Sequence, residues 1–120
     1  MSRYRILVVE DDGALAGMYR MSLRMAGFDV ELATDGVSAL RQIEMRPPDF
    51  IVLDLHLPTL GGDAVLEELA ADPATADIPV AVVTGGDAPS TAVTQAVAVL
   101  RKPCAVGELL VTIERELRVA

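Results

Sequence analysis

At 120 residues, 52% of them hydrophobic, the chain can bury one core and has no room for a second, since roughly 60 to 70% of the unfolded surface is coverable at this size. Ten Lys and Arg against 18 Asp and Glu leave a net charge of −8, which argues against a sequence-independent grip on nucleic acid or on an anionic membrane surface and points to cations or basic surfaces as partners. The one cysteine, Cys104, excludes an internal disulfide, no early segment has the form of a secretory leader, and no apolar run approaches the roughly 20 residues that span a bilayer. The chain reads as a cytoplasmic protein.

In chain order, short β-branched apolar runs alternate with longer stretches of helical period. This is the pattern of an open parallel sheet covered on both faces. The first strand is predicted over Tyr4–Val9, and Asp12 then caps a helix carrying Ala14, Met18, Met21 and Met25 at spacings of 4, 3 and 4. That stripe reads as core packing, and Gly27 ends the helix. A second strand over Asp29–Ala33 leads to a helix from about Gly36 to Glu44, stopped by Pro47 and Pro48. Phe50–Leu53 forms the third strand, followed by a helix from about Asp63 to Ala71 that ends near Pro73. Val80–Val83 and Ala98–Arg101 supply the last two strands, and the turn-rich GGDAPSTAVTQAVA between them leaves room for only about two helical turns. A final helix over about Ala105–Val119 puts Val106, Leu109, Leu110, Ile113 and Leu117 on one face.

Ligands of open parallel sheets bind beyond the carboxyl ends of the strands. Those ends are polar here: Glu10, Asp11 and Asp12 after the first strand, Asp54 after the third, Thr84 after the fourth, and Lys102 after the fifth. Crowded carboxylates repel one another unless a cation neutralises them, and an all-oxygen site that keeps several waters suits Mg²⁺, which in turn attracts phosphate oxygens. A hydroxyl and an ammonium beside the ion would hold the remaining oxygens of a phosphoryl group. Lys102 is the only Lys against nine Arg, which suggests a point contact that a planar guanidinium does not reproduce.

The strings ILVVEDD (residues 6–12), PDFIVLDLHLPTLGG (48–62), IPVAVVTG (78–85) and RKP (101–103) resemble the receiver domain of two-component response regulators over essentially the whole chain. The resemblance implies a flavodoxin-like doubly wound sheet of order 2-1-3-4-5, as one receiver domain over residues 1–120. It further implies that Asp54 accepts a phosphoryl group from the phosphohistidine of a histidine kinase or histidine phosphotransfer protein. Glu10, Asp11, Asp54 and the backbone carbonyl of His56 would hold Mg²⁺. Thr84 would move toward the new phosphoryl group, and Lys102 would contact the acceptor carboxylate and then the phosphoryl oxygens. Pro58 and Gly62 match the turn after the acceptor, and Pro103 is expected to follow a cis peptide bond. Such a domain is a signalling module that catalyses only its own phosphorylation and dephosphorylation, and a downstream effector protein would read its state.

Departures from the family pattern lie on the output side. The 18 residues from Thr84 to Lys102 are fewer than usual, so the helix between the fourth and fifth strands is expected to be short. Val99 stands where receivers commonly carry an aromatic that swings inward on activation, Gly85 where Ala is usual, and Gly61 where an acid is common. Asp12 taken alone is a helix cap, His56 a loop residue that flanks the route of an attacking water, and Cys104 a small apolar residue at a helix start. Two other classes compete: a receiver-like interaction module that never turns over phosphate, and a Mg²⁺-dependent nuclease-type enzyme. The second would need Asp54-Leu55-His56 to end in an acid, and the net charge of −8 suits a nucleic-acid substrate poorly. No effector segment is recognised after the domain, so a stand-alone regulator and a receiver cut from a longer protein both remain open.

Overall fold

The computed structural model describes residues 3–86, 88 and 94–118. Their elements run β1 (Arg5–Val9), α1 (Gly13–Met25), β2 (Asp29–Ala33), α2 (Gly36–Met45), β3 (Phe50–Asp54), α3 (Gly62–Ala71), β4 (Val80–Thr84), β5 (Ala98–Arg101) and α4 (Val106–Leu117). The five strands form one sheet of order β2-β1-β3-β4-β5, and every neighbouring pair is parallel. This is the expected doubly wound order.

Alternation along the strands builds two cores. Leu7 and Val9 of β1, Ile51 and Leu53 of β3, and Val80 and Val82 of β4 pack against Ala39 and Ile43 of α2 and Val65, Leu66 and Leu69 of α3. On the opposite face Ile6, Val8, Phe50, Val52, Ala81 and Val83 pack against Tyr19 and Leu23 of α1 and Leu109 and Ile113 of α4. Burial on both faces explains why β1, β3 and β4 lack the polar alternation of a half-exposed strand.

Local chemistry sets the boundaries. The Asp12 carboxylate accepts the Ala14 and Leu15 amides at 3.0 and 3.1 Å and starts α1, as predicted. Gly27 takes φ of +100° just beyond its end, a conformation that costs a residue without Cβ little. β3 and β4 each run one residue further than predicted, which draws Asp54 and Thr84 into the ladder, and β1 begins at Arg5 rather than Tyr4. The helix α4 ends at Leu117 with Arg118 in the left-handed region, and Val119 lies outside the described residues. The short helix expected between β4 and β5 falls mostly on residues 87 and 89–93, also outside them, while Thr94 and Gln95 are helical.

The methionine stripe is a correction. Met18, Met21 and Met25 are 44, 67 and 83% exposed, and α1 instead buries Ala16, Tyr19 and Leu23. Both sets repeat at helical spacing, so periodicity alone could not tell which one faces the sheet.

Candidate functional site

Register brings the polar residues to one edge. Val9 pairs with Leu53, so the next step along each strand sets Glu10 beside Asp54. On the other side of β3, Asp54 pairs with Val83, which puts Thr84 one step beyond it, and the Lys102 amide donates to the Thr84 carbonyl at 2.9 Å. The Lys102 ammonium bridges both buried acids, donating to Glu10 Oε1 at 2.8 Å and to Asp54 Oδ2 at 3.1 Å. The His56 amide donates to Asp54 Oδ1 at 3.1 Å, so each acceptor oxygen is held from a different side. The Lys102–Pro103 peptide bond is cis, as expected.

Close approach of α3 fixes the floor of the site. A Cβ on Gly62 would collide with the carbonyl of Asp54 and would lie 2.7 Å from Cα of Leu55, both main-chain atoms. Only glycine lets α3 start beneath Asp54. The loop between them is tied by Thr59, whose hydroxyl donates to Asp35 Oδ1 at 3.0 Å, and the same oxygen accepts the Ser38 amide at 2.9 Å to cap α2.

Electrostatics marks the cluster as short of positive charge. The Glu10 carboxyl is raised above its ordinary 4.5 mainly by burial, against the Lys102 hydrogen bond and with a further push from Asp54. Burial pulls the Lys102 ammonium down, yet its hydrogen bonds to Glu10 and Asp54 outweigh this and leave it above its ordinary 10.5. One ammonium thus serves two buried carboxylates, while Asp11 sits exposed beside them. Glu10, Asp11 and Asp54 each offer an oxygen, and these atoms all lie within 4.8 Å of one another, a donor set that fits a hard divalent ion such as Mg²⁺.

The structure therefore gathers Glu10, Asp11, Asp54 and Lys102 closely, with Thr84 at the adjoining strand end. Thr84 is buried, and its Oγ1 accepts the Gly86 amide at 3.3 Å rather than engaging the acids. The exposed His56 imidazole leans over that loop, its Nε2 3.8 Å from where a Cβ of Gly86 would stand. Cys104 is buried, and burial first and Glu108 second raise its thiol, which keeps it out of the reactive thiolate form. Two residues of the neighbourhood escaped the sequence reading. Asp35 had a legible signal as an Asp directly before a helix start. Tyr19, buried behind the acids, had none beyond being the polar member of an apolar stripe.

Residues 6–114 match the family model described as the response regulator receiver domain. The chain belongs to the response regulator receiver domain family. Among curated relatives of this receiver, the response regulator MprA of Mycobacterium leprae is 41% identical over 118 residues, covering 95% of this chain and 51% of MprA. RpaA of Synechocystis is 42% identical over 80 residues, covering 67% of this chain and 33% of RpaA. The receiver thus spans about half the length of MprA and a third of RpaA. Among solved structures it resembles the receiver domain of the Francisella response regulator 1452 at a TM-score of 0.89 and 25% identity, covering 97% of this chain and 98% of that one. It also resembles a CheY-like receiver from Methanospirillum hungatei at 0.89 and 28% identity, covering 98 and 95%. Among the described residues no helix is long and apolar enough to cross a membrane.

Proposed function

We propose that residues 1–120 act as one phosphoacceptor receiver, taking a phosphoryl group onto Asp54 from the phosphohistidine of a histidine kinase or histidine phosphotransfer protein. The observation that carries this reading is the Lys102 bridge between Glu10 and Asp54 at the strand ends, with Asp11 within metal-binding distance of both acids. Glu10, Asp11 and Asp54, with the His56 carbonyl, would hold Mg²⁺, which when bound offsets the charge of the acids and of the incoming phosphoryl group.

The chain's own groups do the rest. An Asp54 carboxylate oxygen bonds to phosphorus as the P–N bond of the donor breaks, and the departing imidazole keeps the electron pair and takes up a proton. The His56 amide and Lys102 orient the acceptor oxygens beforehand, so little reorganisation accompanies the transfer. Lys102 then follows the charge onto the phosphoryl oxygens, and the Thr84 hydroxyl leaves the Gly86 amide to donate to them. Loss of the group reverses the logic: water bonds to phosphorus and the P–O bond to Asp54 breaks. RpaA is by name a DNA-binding transcriptional regulator. We assign this acidic chain the input role, read by a downstream effector, and not the DNA contact itself.

Acetyl phosphate with Mg²⁺ should add the mass of one phosphoryl group to the intact chain, and Asp54→Asn should abolish the gain. An unchanged gain in the variant would overturn the assignment. No gain in the wild-type protein would favour an interaction module that does not turn over phosphate.

A further inference from the structure

Tyr19 carries a polar group in a place where nothing receives it. The residue is 1% exposed, and its hydroxyl is fully buried without a hydrogen-bond partner. A phenylalanine would fill the same volume without leaving a donor stranded. The phenol is also positioned on the functional side of the sheet. Glu10, Asp54 and Lys102 continue the alternation of Ile6 and Val8, of Phe50 and Val52, and of Leu100, which is the face packed against Tyr19, Leu23, Cys104 and Leu109. Because α1 follows β1 directly, its N-terminus lies at the site edge, and helical side chains lean toward the N-terminus. Tyr19 begins about 9 Å down the axis from Gly13, by the rise of an α-helix, and a tyrosine that leans toward the helix N-terminus shortens that gap. Burial is the main cause that raises the hydroxyl's pKa, with Cys104, Glu10 and Asp54 adding to it and Lys102 opposing.

Of these neighbours only one is a strong acceptor with room to spare. Lys102 accepts nothing, the Cys104 thiol is a weak acceptor, and Asp54 is to be esterified. Glu10 receives the Lys102 ammonium on Oε1 and the Asp12 amide, at 3.3 Å, on Oε2, so even with one lone pair given to Mg²⁺ it keeps another open. When Lys102 turns to a phosphoryl group, this buried acid loses its shortest hydrogen bond.

We propose that Tyr19 is a positioning residue for phosphoryl handling, its hydroxyl held in reserve behind the site to donate to the Glu10 carboxylate when Lys102 moves onto the phosphoryl group. The proposal rests on the phosphoacceptor reading of Asp54. It accounts for an orphan donor in the resting protein by giving it an acceptor in the loaded one.

The chain has two tyrosines and no tryptophan, which makes the hydroxyl directly observable. In a Tyr4→Phe background, Mg²⁺ with beryllofluoride, a phosphoryl mimic on the carboxylate, should red-shift the near-UV band of Tyr19 and quench its emission. Tyr19→Phe should melt no lower than wild type at rest yet bind beryllofluoride about tenfold more weakly, the loss of one charge-assisted hydrogen bond. A loaded protein with an unshifted tyrosine band, or equal beryllofluoride affinity in Tyr19→Phe, would overturn the proposal. So would a lower resting melting point, because the hydroxyl would then have a partner already, and so would loss of the band shift in Cys104→Ala, because the acceptor would then be sulfur. Failure of the wild-type chain to bind beryllofluoride at all would instead remove the phosphoacceptor reading beneath it.

Discussion

Lys102 is the cation on which the resting site depends, and its side chain is one quarter exposed while those of Glu10 and Asp54 are nearly fully buried. Removing it leaves two buried carboxylates facing each other, and breaking a buried pair in this way costs about 3 to 5 kcal/mol. An arginine keeps the charge but spreads it over a planar fork that must satisfy two acids on different strands. Lys102→Arg is therefore expected to fold with a near-wild-type melting point and to phosphorylate at least tenfold more slowly with acetyl phosphate. A wild-type rate would show that the charge matters and the point geometry of the ammonium does not. Asp35 makes a different kind of contribution at the rim. Hydrogen bonds from the Ser38 amide and the Thr59 hydroxyl hold its carboxyl below its ordinary 3.8. A depressed acid stabilises the fold fully above the unfolded value and loses that contribution as pH falls through the folded one. Asp35→Asn should accordingly lower the melting point at neutral pH and flatten its decline below about pH 4, the window set by that depressed group. Melting curves across the acid range would reveal a parallel decline in both proteins if the charge on the cap contributes nothing.

At the scale of elements, the start of α3 comes so close to the end of β3 that no side chain fits at Gly62. In Gly62→Ala the new methyl would press on the main chain of Asp54 and Leu55, which cannot swing aside as a flexible side chain can. Overpacking of this kind costs about 1 to 3 kcal/mol, and relief would come from displacing the very loop that orients Asp54. The expected outcome is a lower denaturation midpoint together with slower phosphorylation, and a variant of wild-type stability and rate would mean that the contact is looser than the geometry states. Most of the framework was legible in the sequence because parallel strands covered on both faces leave an uninterrupted apolar signature, and polar residues at their carboxyl ends are conspicuous against it. Glu10, Asp54, Thr84 and Lys102 were readable for that reason. The facing of α1 was not, because Ala14, Met18, Met21 and Met25 and the buried Ala16, Tyr19 and Leu23 share one period, and only the sheet decides between them. The stranded Tyr19 hydroxyl was invisible for a related reason, since satisfaction is a property of three dimensions. The extension of β3 through Asp54 is the reverse case, a polar residue that ends an apolar run yet still belongs to the ladder.

At the scale of the molecule, the described residues give a phosphoryl group on Asp54 few moving parts through which to reach a distant surface. Thr84 would leave the Gly86 amide, and Lys102 would leave Glu10, but both sit at the ends of strands locked by their neighbours. Thr84 pairs with Arg101, Val82 with Val99, and the Lys102 amide holds the Thr84 carbonyl, so the backbone of β5 is pinned to β4 along its length. Val99 is half-buried against the core formed with α2 and α3, and a β-branched side chain has few rotamers with which to vacate or fill space. The glycines after Thr84, by contrast, offer a loop that rearranges at little cost. Activation should thus remain local, concentrated in the loop beyond Thr84 and in the Lys102–Ala105 turn, without the symmetric pairing that many receivers make through the faces beside their last strand and last helix. Sedimentation with and without beryllofluoride should return one monomeric mass in both states, while amide exchange should change from Thr84 onward and around Lys102 and leave β5 untouched. A shift to dimer mass with new protection across residues 98–110 would show that the relay operates through a valine, and that the stiffness assigned to β5 is overstated.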